Sequence, residues 1–323
     1  MLNDKIFVIG DIHGCAEELQ LLLDKIPLTS QSRIVFVGDY IDRGENSKEV
    51  IDIILNLQNY YKVTTLMGNH EAMFLDFLSD PGSTEAGAFI YNGGSATLAS
   101  YANQQGKYVI PDEHIEFLKK LQLFSQTESF FFVHAGVPDV PLNYITPARH
   151  KDDLLWIRDS FFNSKFKWEK IIVHGHTPVA QVEVTPKRVN VDTGCVYENY
   201  LSAYELFSGE AYTVKKIRKT KQTLLRDQTS QRQAVRFEGK VPVTIICDGY
   251  TMSFETVNYS EIGMLVRCST APNVPVLKEN ALVSGEIKLI SDTPLKWDGR
   301  VVRVIPKDGE YQYAIQFARP TRP

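Results

Sequence analysis

The sequence is poor in cysteine and has no long apolar segment. Its four cysteines (Cys15, Cys195, Cys247 and Cys268) include no Cys-x-x-Cys pair, so we interpret them as small apolar fillers in a reducing compartment. No run of 18 apolar residues occurs, and no charged segment followed by an apolar one opens the chain, so neither a membrane span nor a signal peptide is predicted. A cytoplasmic protein is expected.

The net charge is small, at −4, but it is unevenly divided. Residues 1–210 contain 17 Lys and Arg against 28 Asp and Glu, a net charge of −11, whereas residues 211–323 contain 18 against 11, a net charge of +7. Such a division points to an anionic partner for the second half. Basic and aromatic residues do not alternate there as they do in single-strand-binding surfaces, so nucleic acid is not the expected partner.

Three apolar runs that read as buried strands each end in glycine and in side chains that can hold metal ions. The carboxyl ends of strands are where open α/β sheets place their ligands. Carboxylates, imidazoles and a guanidinium therefore gather where they can hold a metal and an anion together. The three segments are Gly10-Asp11-Ile12-His13-Gly14, Gly38-Asp39-Tyr40-Ile41-Asp42-Arg43-Gly44 and Gly68-Asn69-His70-Glu71.

In this order, the three segments resemble the GD-x-HG, GD-x-x-DRG and GNHE signature of the phosphoprotein phosphatase family of binuclear metallophosphoesterases. Two later segments, His134-Ala135-Gly136 and Gly175-His176-Thr177, extend the resemblance, which covers roughly residues 5 to 207. Strand-like and helix-like segments alternate along this part, with helical periodicity over residues 16–26 and 50–57, which predicts a layered α/β fold. The resemblance refines this to a β-sandwich flanked by helices, with metals at one edge.

The resemblance also implies a set of ligands for two divalent metal ions. Asp11 and His13 would hold the first ion, and Asp39 would bridge the two. Mixed carboxylate, imidazole and amide ligands suit manganese, iron or zinc better than calcium, and manganese is the expected metal. The motif register favours His176 over the neighbouring His174. The ligands expected at the second ion, besides Asp39, are Asn69, His134 and His176.

The same resemblance suggests which residues carry out catalysis. Arg43 and Arg158 are the expected phosphate clamps, because guanidinium groups match phosphate oxygens. His70 is the expected general acid for the leaving group, oriented by Asp42. Glu71, which follows it, is expected to support the loop.

Asp192 follows the strand-like run 189–191 in this half. It is either a partner of a metal ligand or a cap, and the sequence does not separate the two roles.

From Lys215 onward the composition changes. A basic, polar stretch over residues 215–231 reads as a solvated linker, and short alternating apolar runs follow it. Three Asp-Gly dipeptides, at 248–249, 298–299 and 308–309, are typical of hairpin turns. This half is predicted to be a small antiparallel β-barrel.

Two motifs within the predicted barrel are similar to those of the PilZ domain. Arg232 and Arg236 match its RxxxR motif, and Asn258, Ser260 and Gly263 match its (D/N)xSxxG motif. The resemblance implies binding of cyclic di-GMP, whose phosphates and guanines the arginines can pair with and stack on. Asn258 and Ser260 would complete a polar rim, and Gly263 would allow close approach of the ligand.

A chain of 323 residues suggests about two domains. We predict a catalytic metallophosphoesterase domain over residues 1–214, a linker over 215–231 and a PilZ domain over 232–323. The expected function is phosphomonoester hydrolysis by a protein Ser/Thr phosphatase, with a phosphoprotein substrate and regulation by cyclic di-GMP.

Two alternatives stay open. The first is hydrolysis of a dinucleoside polyphosphate or another small phosphoester, against which the intact Asp42-Arg43-Gly44 argues, because nucleotide hydrolases of similar sequence often vary there. The second is a non-catalytic cyclic di-GMP effector, against which the complete ligand set argues. Metal analysis together with a generic phosphoester assay would distinguish an enzyme from an effector.

Overall fold

The computed structural model describes residues 5–81, 83–103, 108–218, 237–238, 242–260, 263–268, 277–287, 295–307 and 310–318. The described residues form two compact units. The first unit is drawn from residues 1–72 and 96–230, and the second from residues 73–95 and 231–323.

Two five-stranded sheets make up the strands of the first unit that the structure describes. The first sheet has the order β10 (Ala211–Lys215), β9 (Tyr200–Glu205), β1 (Ile6–Ile9), β2 (Arg33–Phe36) and β3 (Lys62–Thr65). The second has the order β4 (Phe124–Gln126), β5 (Phe130–Val133), β6 (Ile171–His174), β8 (Arg188–Asn190) and β7 (Glu183–Val184). Strands β1, β2 and β3 are parallel, as are β5, β6 and β8.

The core lies between these two sheets. Alternate residues of β1, Ile6 and Val8, pack in one buried cluster with Phe130 and Phe132 of β5 in the other sheet. Each such side chain contributes about 1.5–3 kcal/mol when it is fully buried. Continuous apolar runs such as Ile6–Ile9 are typical of parallel strands that are covered on both faces. The predicted β-sandwich is confirmed.

The described helices are mostly short and follow the strands. They are α1 (Ala16–Lys25), α2 (Ser47–Leu57), α3 (Asn69–Ser79), α4 (Thr84–Phe89), α5 (Ser95–Ser100), α6 (Asp112–Lys119), α7 (Pro147–Trp156) and α8 (Asp159–Phe162). Helix α1 buries Leu19, Leu22 and Leu23 on one side, as its periodicity predicts. The two helices predicted over residues 16–26 and 50–57 are confirmed as α1 and α2. Within the described residues, no helix combines the length and apolar character needed to cross a bilayer.

The second unit contains the predicted antiparallel barrel. Its strands are β11 (Phe237–Glu238), β12 (Pro242–Cys247), β13 (Tyr250–Ser260), β14 (Gly263–Cys268), β15 (Leu282–Ile287), β16 (Leu295–Lys307) and β17 (Glu310–Phe317). They pair in the order β11-β13-β12-β15-β16-β17-β14, and a further pairing of β13 with β14 closes six of them into a barrel. The alternating residues Val243, Ile245 and Cys247 are buried, as the period of two predicts.

Only one of the three Asp-Gly dipeptides is seen as a turn. Asp248 and Gly249, with φ of 49° and 81°, connect β12 to β13 as predicted. The prediction for 298–299 was wrong, because these residues lie inside β16 and pair with β15. A Cβ atom at Gly299 would lie 2.7 Å from the Gln316 carbonyl oxygen, so this glycine permits close strand packing. The dipeptide 308–309 lies outside the described residues.

The beginning of the predicted linker is part of the folded structure, not a solvated chain. Lys215 ends strand β10, and Lys216 forms an ion pair with the buried Glu18 at 2.9 Å. The backbone N–H of Ile217 donates to the same carboxylate at 2.9 Å, and Arg218 pairs with Glu198 at 2.8 Å. The basic charges at the start of this stretch are therefore satisfied by acidic groups of the first unit.

Candidate functional site

The predicted metal ligands lie at the carboxyl ends of parallel strands. Asp11 and His13 follow β1, Asp39 follows β2, and Asn69 begins α3 shortly after β3. In the second sheet, His134 and His176 follow the adjacent parallel strands β5 and β6. The ends of parallel neighbours meet at one edge of each sheet, and the two sheets pack against each other, so residues more than 100 positions apart, such as Asp11 and His176, come together.

The backbone at this site is held in an unfavourable conformation. Five of its non-glycine residues have positive φ: His13 (47°), Asp39 (53°), Asp42 (71°), Arg43 (67°) and His176 (67°). A left-handed conformation costs roughly 1–3 kcal/mol at each such position, so it persists only where the surroundings enforce it. This concentration of strain indicates a functional site.

Glu71 enforces part of that conformation. Its buried carboxylate accepts backbone N–H groups from Asp39 (2.9 Å), Tyr40 (2.8 Å), Ile41 (3.3 Å) and Gly68 (2.9 Å). One side chain thus fixes the loop after β2 against the loop after β3. The structure supports the expectation that Glu71 holds the loop.

The Asp39 carboxylate lies between two groups of histidines. One oxygen, Oδ2, is 3.4 Å from Nε2 of His13, and the other, Oδ1, is 3.4 Å from Nε2 of His134. Two sets of buried ligand atoms share this residue: His13, Asp39 and His70, and Asp39, His134 and His176. A carboxylate that presents one oxygen to each set has the geometry that a bridging ligand requires.

Hydrogen bonds orient these histidines. Nδ1 of His13 donates to the Ile41 carbonyl at 2.8 Å, and Nδ1 of His134 donates to the Val37 carbonyl at 2.9 Å. Each ring therefore presents Nε2 as an acceptor, which is how metal-binding histidines are commonly fixed. His134 Nε2 is also 3.0 Å from Asn69 Oδ1 and 3.1 Å from His176 Nδ1. Asn69, His134 and His176 are thus brought together as the sequence predicts.

A bound cation would stabilise the ionised form of the buried carboxylates at this site. Burial, followed by the charges of Asp192 and Asp39, raises the pKa of Asp11 well above its usual value. Burial likewise raises the pKa of Asp39 and of Asp192 to about 7. Asp11 accepts the His176 backbone N–H at 3.1 Å, and this hydrogen bond offsets only part of the increase in the pKa of Asp11. Divalent cations would neutralise these carboxylates and make all three favourable as anions.

Two imidazole nitrogens support the same conclusion. Among the described residues, three imidazole nitrogens are buried without a hydrogen-bond partner, Nε2 of His70, His174 and His176, and those of His70 and His176 belong to the two ligand sets that share Asp39. A buried acceptor without a hydrogen-bond partner lowers the stability of the folded protein, unless a ligand or a metal ion binds to it. Oxygen and nitrogen donors of this kind fit manganese, iron or zinc, and the choice among the three stays a prediction.

A second buried network holds His70. Its Nδ1 donates to Oδ2 of Asp42 at 2.6 Å, and Oδ1 of Asp42 accepts the Thr97 hydroxyl at 2.6 Å. The backbone N–H of Asp42 donates to the hydroxyls of Thr97 (2.8 Å) and Ser47 (3.1 Å). Sequence reasoning missed both hydroxyls: Thr97 is 55 residues from Asp42 and leaves no local signal, whereas Ser47 is only five residues away and begins helix α2.

The two predicted phosphate clamps lie in different surroundings. Arg43 is half-buried, with Nη1 2.6 Å from His13 Nε2 and its guanidinium 5.5 Å from the ring centre of Tyr197. Arg158 is exposed and donates to the Thr177 hydroxyl at 3.2 Å. Its charge lies close enough to Asp11 and Asp39 to influence both. Tyr197, which is 54% exposed, was not anticipated from the sequence.

Two neighbouring residues can now be placed. His174 is buried against the rings of Phe161 and Phe162, and its Nδ1 donates to the Gly175 carbonyl at 3.0 Å. It packs in the core beside the site. Asp192 caps its own loop by accepting the Gly194 N–H at 2.9 Å, which is one of the two roles left open, and its negative charge contributes to the raised pKa of Asp11 after burial.

The predicted cyclic di-GMP residues are only partly described. Arg232 and Arg236 lie outside the described residues. Asn258 and Ser260 lie at the end of β13, and Gly263 begins β14, where it pairs with Ser260. A Cβ atom at Gly263 would lie 2.2 Å from the Ile315 carbonyl oxygen, so strand packing alone requires glycine at this position.

Comparison with known proteins agrees with this geometry. Residues 4–210 match the family of calcineurin-like phosphoesterases, and residues 230–323 match the PilZ domain. The asymmetrical bis(5'-nucleosyl)-tetraphosphatase PrpE of Oceanobacillus iheyensis is 29% identical over 238 residues, which cover 65% of this chain and 92% of that protein. The corresponding protein of Anoxybacillus flavithermus is 29% identical over 223 residues, which cover 61% and 88% of the two chains.

A solved structure shares the fold of the first part of the chain. It is described as that of a candidate diadenosine tetraphosphatase and superposes with a TM-score of 0.53 at 21% identity, over 68% of this chain and 96% of that one. The strand-end ligands, the shared Asp39 and the family match agree with one another. The chain therefore belongs to the calcineurin-like phosphoesterases and carries a C-terminal PilZ domain.

Proposed function

We propose that the first unit is a two-metal phosphoester hydrolase that acts on dinucleoside polyphosphates, and that cyclic di-GMP regulates it through the PilZ domain. The observation that carries the hydrolase assignment is the Asp39 carboxylate, with one oxygen 3.4 Å from His13 and the other 3.4 Å from His134. In this arrangement one carboxylate could bind two cations, one through each of its oxygens.

Six side chains would hold the metals, which we propose to be manganese. When bound, two divalent cations act as Lewis acids toward phosphate and lower the pKa of water. The protein then has to bind the substrate phosphate and protonate the leaving group. Asp11, His13 and Asp39 would serve one cation, and Asp39, Asn69, His134 and His176 the other.

Arg43 and Arg158 would bind the phosphate oxygens, since both guanidinium groups act on the charge of Asp39. His70 would donate the proton. Burial raises the pKa of Asp42 and lowers that of His70, so the resting pair holds a single proton on the 2.6 Å hydrogen bond. A phosphate dianion in the site would favour a second proton on His70 Nε2, which the leaving oxygen could then accept.

The proposed substrate follows from two exposed aromatic side chains at the site. Tyr197 faces Arg43, and Trp156, which is 37% exposed, lies 6.2 Å from the His176 ring. Nucleobases stack on exposed aromatic rings for about 1–3 kcal/mol each. The relatives are named as asymmetrical tetraphosphatases, and the corresponding reaction converts diadenosine tetraphosphate and water to ATP and AMP.

The test compares three substrates with the manganese-loaded protein: diadenosine tetraphosphate, a phosphoserine peptide and an aryl phosphate. We expect the highest kcat/KM for the dinucleotide, with ATP and AMP as products. Tyr197→Leu should raise KM for the dinucleotide about 5–150-fold, from the loss of one stacked base. The exposed Tyr60, which lies at the opposite end of β3, provides the control Tyr60→Leu. Hydrolysis of the aryl phosphate alone would refute the substrate assignment.

Protein Ser/Thr phosphatase activity is the second candidate. It is favoured by the exposed Arg158, which could meet a phosphate carried on a protein surface, and by the intact Asp42-Arg43-Gly44. This candidate predicts a higher kcat/KM for the phosphoserine peptide than for the dinucleotide, with no effect of Tyr197→Leu. The experiment above therefore separates the two.

The barrel supports the proposal that cyclic di-GMP binds here. Strand β11 begins at Phe237, directly after Arg236 in the chain, and Glu238 of β11 pairs with Asn258 of β13. Because of this pairing, the residues that directly follow Arg236 of the first motif lie beside Asn258 of the second motif. We expect calorimetry to show micromolar binding that Arg236→Ala abolishes and Arg300→Ala, at an exposed barrel position, does not. Regulation predicts that the ligand changes kcat/KM about 5–150-fold, whereas binding with unchanged kinetics would exclude coupling.

A further inference from the structure

Two cysteines that are distant in sequence meet beside the metal-binding loops. Cys15 follows the Asp11–His13 segment and directly precedes helix α1, and Cys195 lies three residues after Asp192. Each is only 1% exposed. Their sulfur atoms and a carboxylate oxygen of Glu18 all lie within 4.8 Å of one another, and the Cys15 thiol donates to the His13 carbonyl at 3.6 Å. The metal site proposed above uses neither cysteine.

The same three residues could be taken for a further metal site, but a lysine argues against it. The Lys216 ammonium forms an ion pair with the Glu18 carboxylate at 2.9 Å. A metal ion would have to bind beside this positive charge, which already satisfies the carboxylate. The cluster therefore lacks the free anionic ligands that a cation needs.

We propose that Cys15 and Cys195 form a redox-modification site, in which a hydroperoxide converts the two thiols to an intramolecular disulfide. With a hydroperoxide, one thiolate attacks the peroxide oxygen to give a sulfenic acid and an alcohol or water. The second thiolate then displaces hydroxide, which leaves as water, and the S–S bond forms. Two electrons pass from the thiols to the peroxide.

The structure provides a route for the oxidant to reach these buried sulfurs. Cys195 lies in a single 3₁₀ turn, Cys195–Tyr197, which is bounded by left-handed residues Gly194 (φ 68°) and Glu198 (φ 70°). Tyr197 and Glu198 are exposed, so this turn lies at the surface of the protein. Local opening of so short an element costs far less than unfolding. We therefore expect oxidation to be slow but complete.

Closing the disulfide should lower catalytic activity. A non-bonded sulfur contact must shorten to about 2.05 Å, which moves the loop of His13, the loop of Asp192, or both. Catalytic groups tolerate displacements of about 0.5 Å, and a 1 Å misplacement can cost about 100-fold in rate. The Tyr197 ring, two residues after Cys195 and 5.5 Å from the Arg43 guanidinium, would move with that loop.

The experiment uses the full-length, manganese-loaded protein, reduced and then treated with diamide, a thiol-specific oxidant that spares the metal. Free thiols are alkylated, and the protein is digested without reductant for mass spectrometry. We expect a cross-linked peptide pair containing Cys15 and Cys195, and at least a tenfold loss of aryl phosphate hydrolysis that dithiothreitol reverses. A hydroperoxide should give the same cross-link.

Cys15→Ser and Cys195→Ser should each retain activity when reduced and lose the response to diamide, while Cys247→Ser, a buried cysteine of the barrel, should behave as wild type. If either serine variant folds poorly, the test relies on the cross-link in the wild type and on the loss of the diamide response in the Cys195→Ala variant. Absence of the cross-link, a cross-link that leaves activity unchanged, or inactivation that persists in both serine variants would overturn the proposal. The proposal would also be overturned if the wild type bound one equivalent of metal more than the Cys195→Ser variant. Because an aryl phosphate is the reporter, the outcome does not depend on which natural substrate the protein hydrolyses.

Discussion

The two units hold their motif residues in different ways. In the first unit, three candidate ligands (His13, Asp39 and His176) lie on left-handed backbone at strand ends, and the buried Glu71 carboxylate holds the Asp39 loop. In the barrel, Asn258 and Ser260 lie within a strand, and Gly263 is required by the packing of its neighbour. A site of the first kind depends on the balance of buried charge, whereas a site of the second kind depends on strand register. We expect substitutions to act abruptly in the first and gradually in the second.

The most severe expected loss follows removal of the charge that both halves of the metal site share. Asp39→Asn should lower kcat/KM for aryl phosphates by about 10³-fold or more, because the Lewis-acid contribution of the metals is worth several kcal/mol. Metal content should fall in parallel, as measured by elemental analysis. The control is Asp24→Asn, at an exposed position of α1. Wild-type turnover by Asp39→Asn would exclude a shared bridging ligand.

The next effect separates acid catalysis from metal binding. His70→Asn should lower kcat by about 10²–10⁴-fold for an alkyl phosphate. The loss should shrink for aryl phosphates with acidic leaving groups, which need no proton. Kinetics across a series of leaving-group pKa values provide the measurement. A defect of constant size across the series would mean that His70 positions groups and does not donate the proton.

Glu71→Gln tests whether the strained loops depend on one carboxylate. Glutamine offers a single acceptor oxygen to the four N–H groups that Glu71 accepts, and it turns an NH₂ group toward the rest. Each buried N–H group left without an acceptor costs about 1–3 kcal/mol, so we expect a loss of at least about 2 kcal/mol in the free energy of unfolding. Urea unfolding measures it, with the exposed Glu17→Gln as control. Unchanged stability would mean that the loops hold their own conformation.

In the barrel, the expected effect is smaller and structural. Gly263→Ala places a methyl group 2.2 Å from the Ile315 carbonyl oxygen and should cost about 1–3 kcal/mol of stability. Ser260→Ala should instead weaken cyclic di-GMP binding and leave stability unchanged. Thermal unfolding and calorimetry of both variants distinguish strand packing from ligand contact. If Gly263→Ala loses the ligand with its stability intact, the glycine serves the ligand.

The smallest effect is a pH dependence of metal stabilisation. Burial raises the pKa of Asp39 and of Asp192 to about 7, so the folded metal-free protein keeps protons that the unfolded chain releases near pH 4. These carboxyls thus lower the stability of the metal-free protein as pH rises from about 4 to 7. Cations displace the protons, and the increase in Tm on adding manganese should grow up to about pH 7 and then level off. A pH-independent increase would contradict these assignments, and Asp192→Asn should reduce the slope.

Most of the ligand set could be predicted because its signals are local. Each block joins an apolar strand to a turn within a few residues, and the resemblance to the phosphoprotein phosphatase family then names Asp11, Asp39 and Asn69 as candidate ligands. The alternation of Val243 and Ile245 likewise predicts the barrel strands. Local periodicity determines these features before any tertiary contact forms.

The missed features all depend on tertiary contacts. Asp298-Gly299 looks like a turn, yet it is a point of close strand approach, since glycine serves both purposes. Thr97 and the Cys15–Cys195 pair join segments 55 and 180 residues apart, and nothing near either partner marks them. Because the four cysteines are far apart in the sequence, they are interpreted as small apolar residues of the core, and only the folded structure shows that two of them are neighbours.

The ion pair between Lys216 and Glu18 determines where the polypeptide can be cut. The family match ends at residue 210, but the buried Glu18 carboxylate takes its partners from Lys216 and the Ile217 N–H. A fragment that stops at residue 210 would lose strand β10 and leave that carboxylate alone in the interior, at a cost of about 3–5 kcal/mol. A fragment that ends at residue 218 keeps both, so the chain needed to satisfy Glu18 extends past the border of its own sequence family.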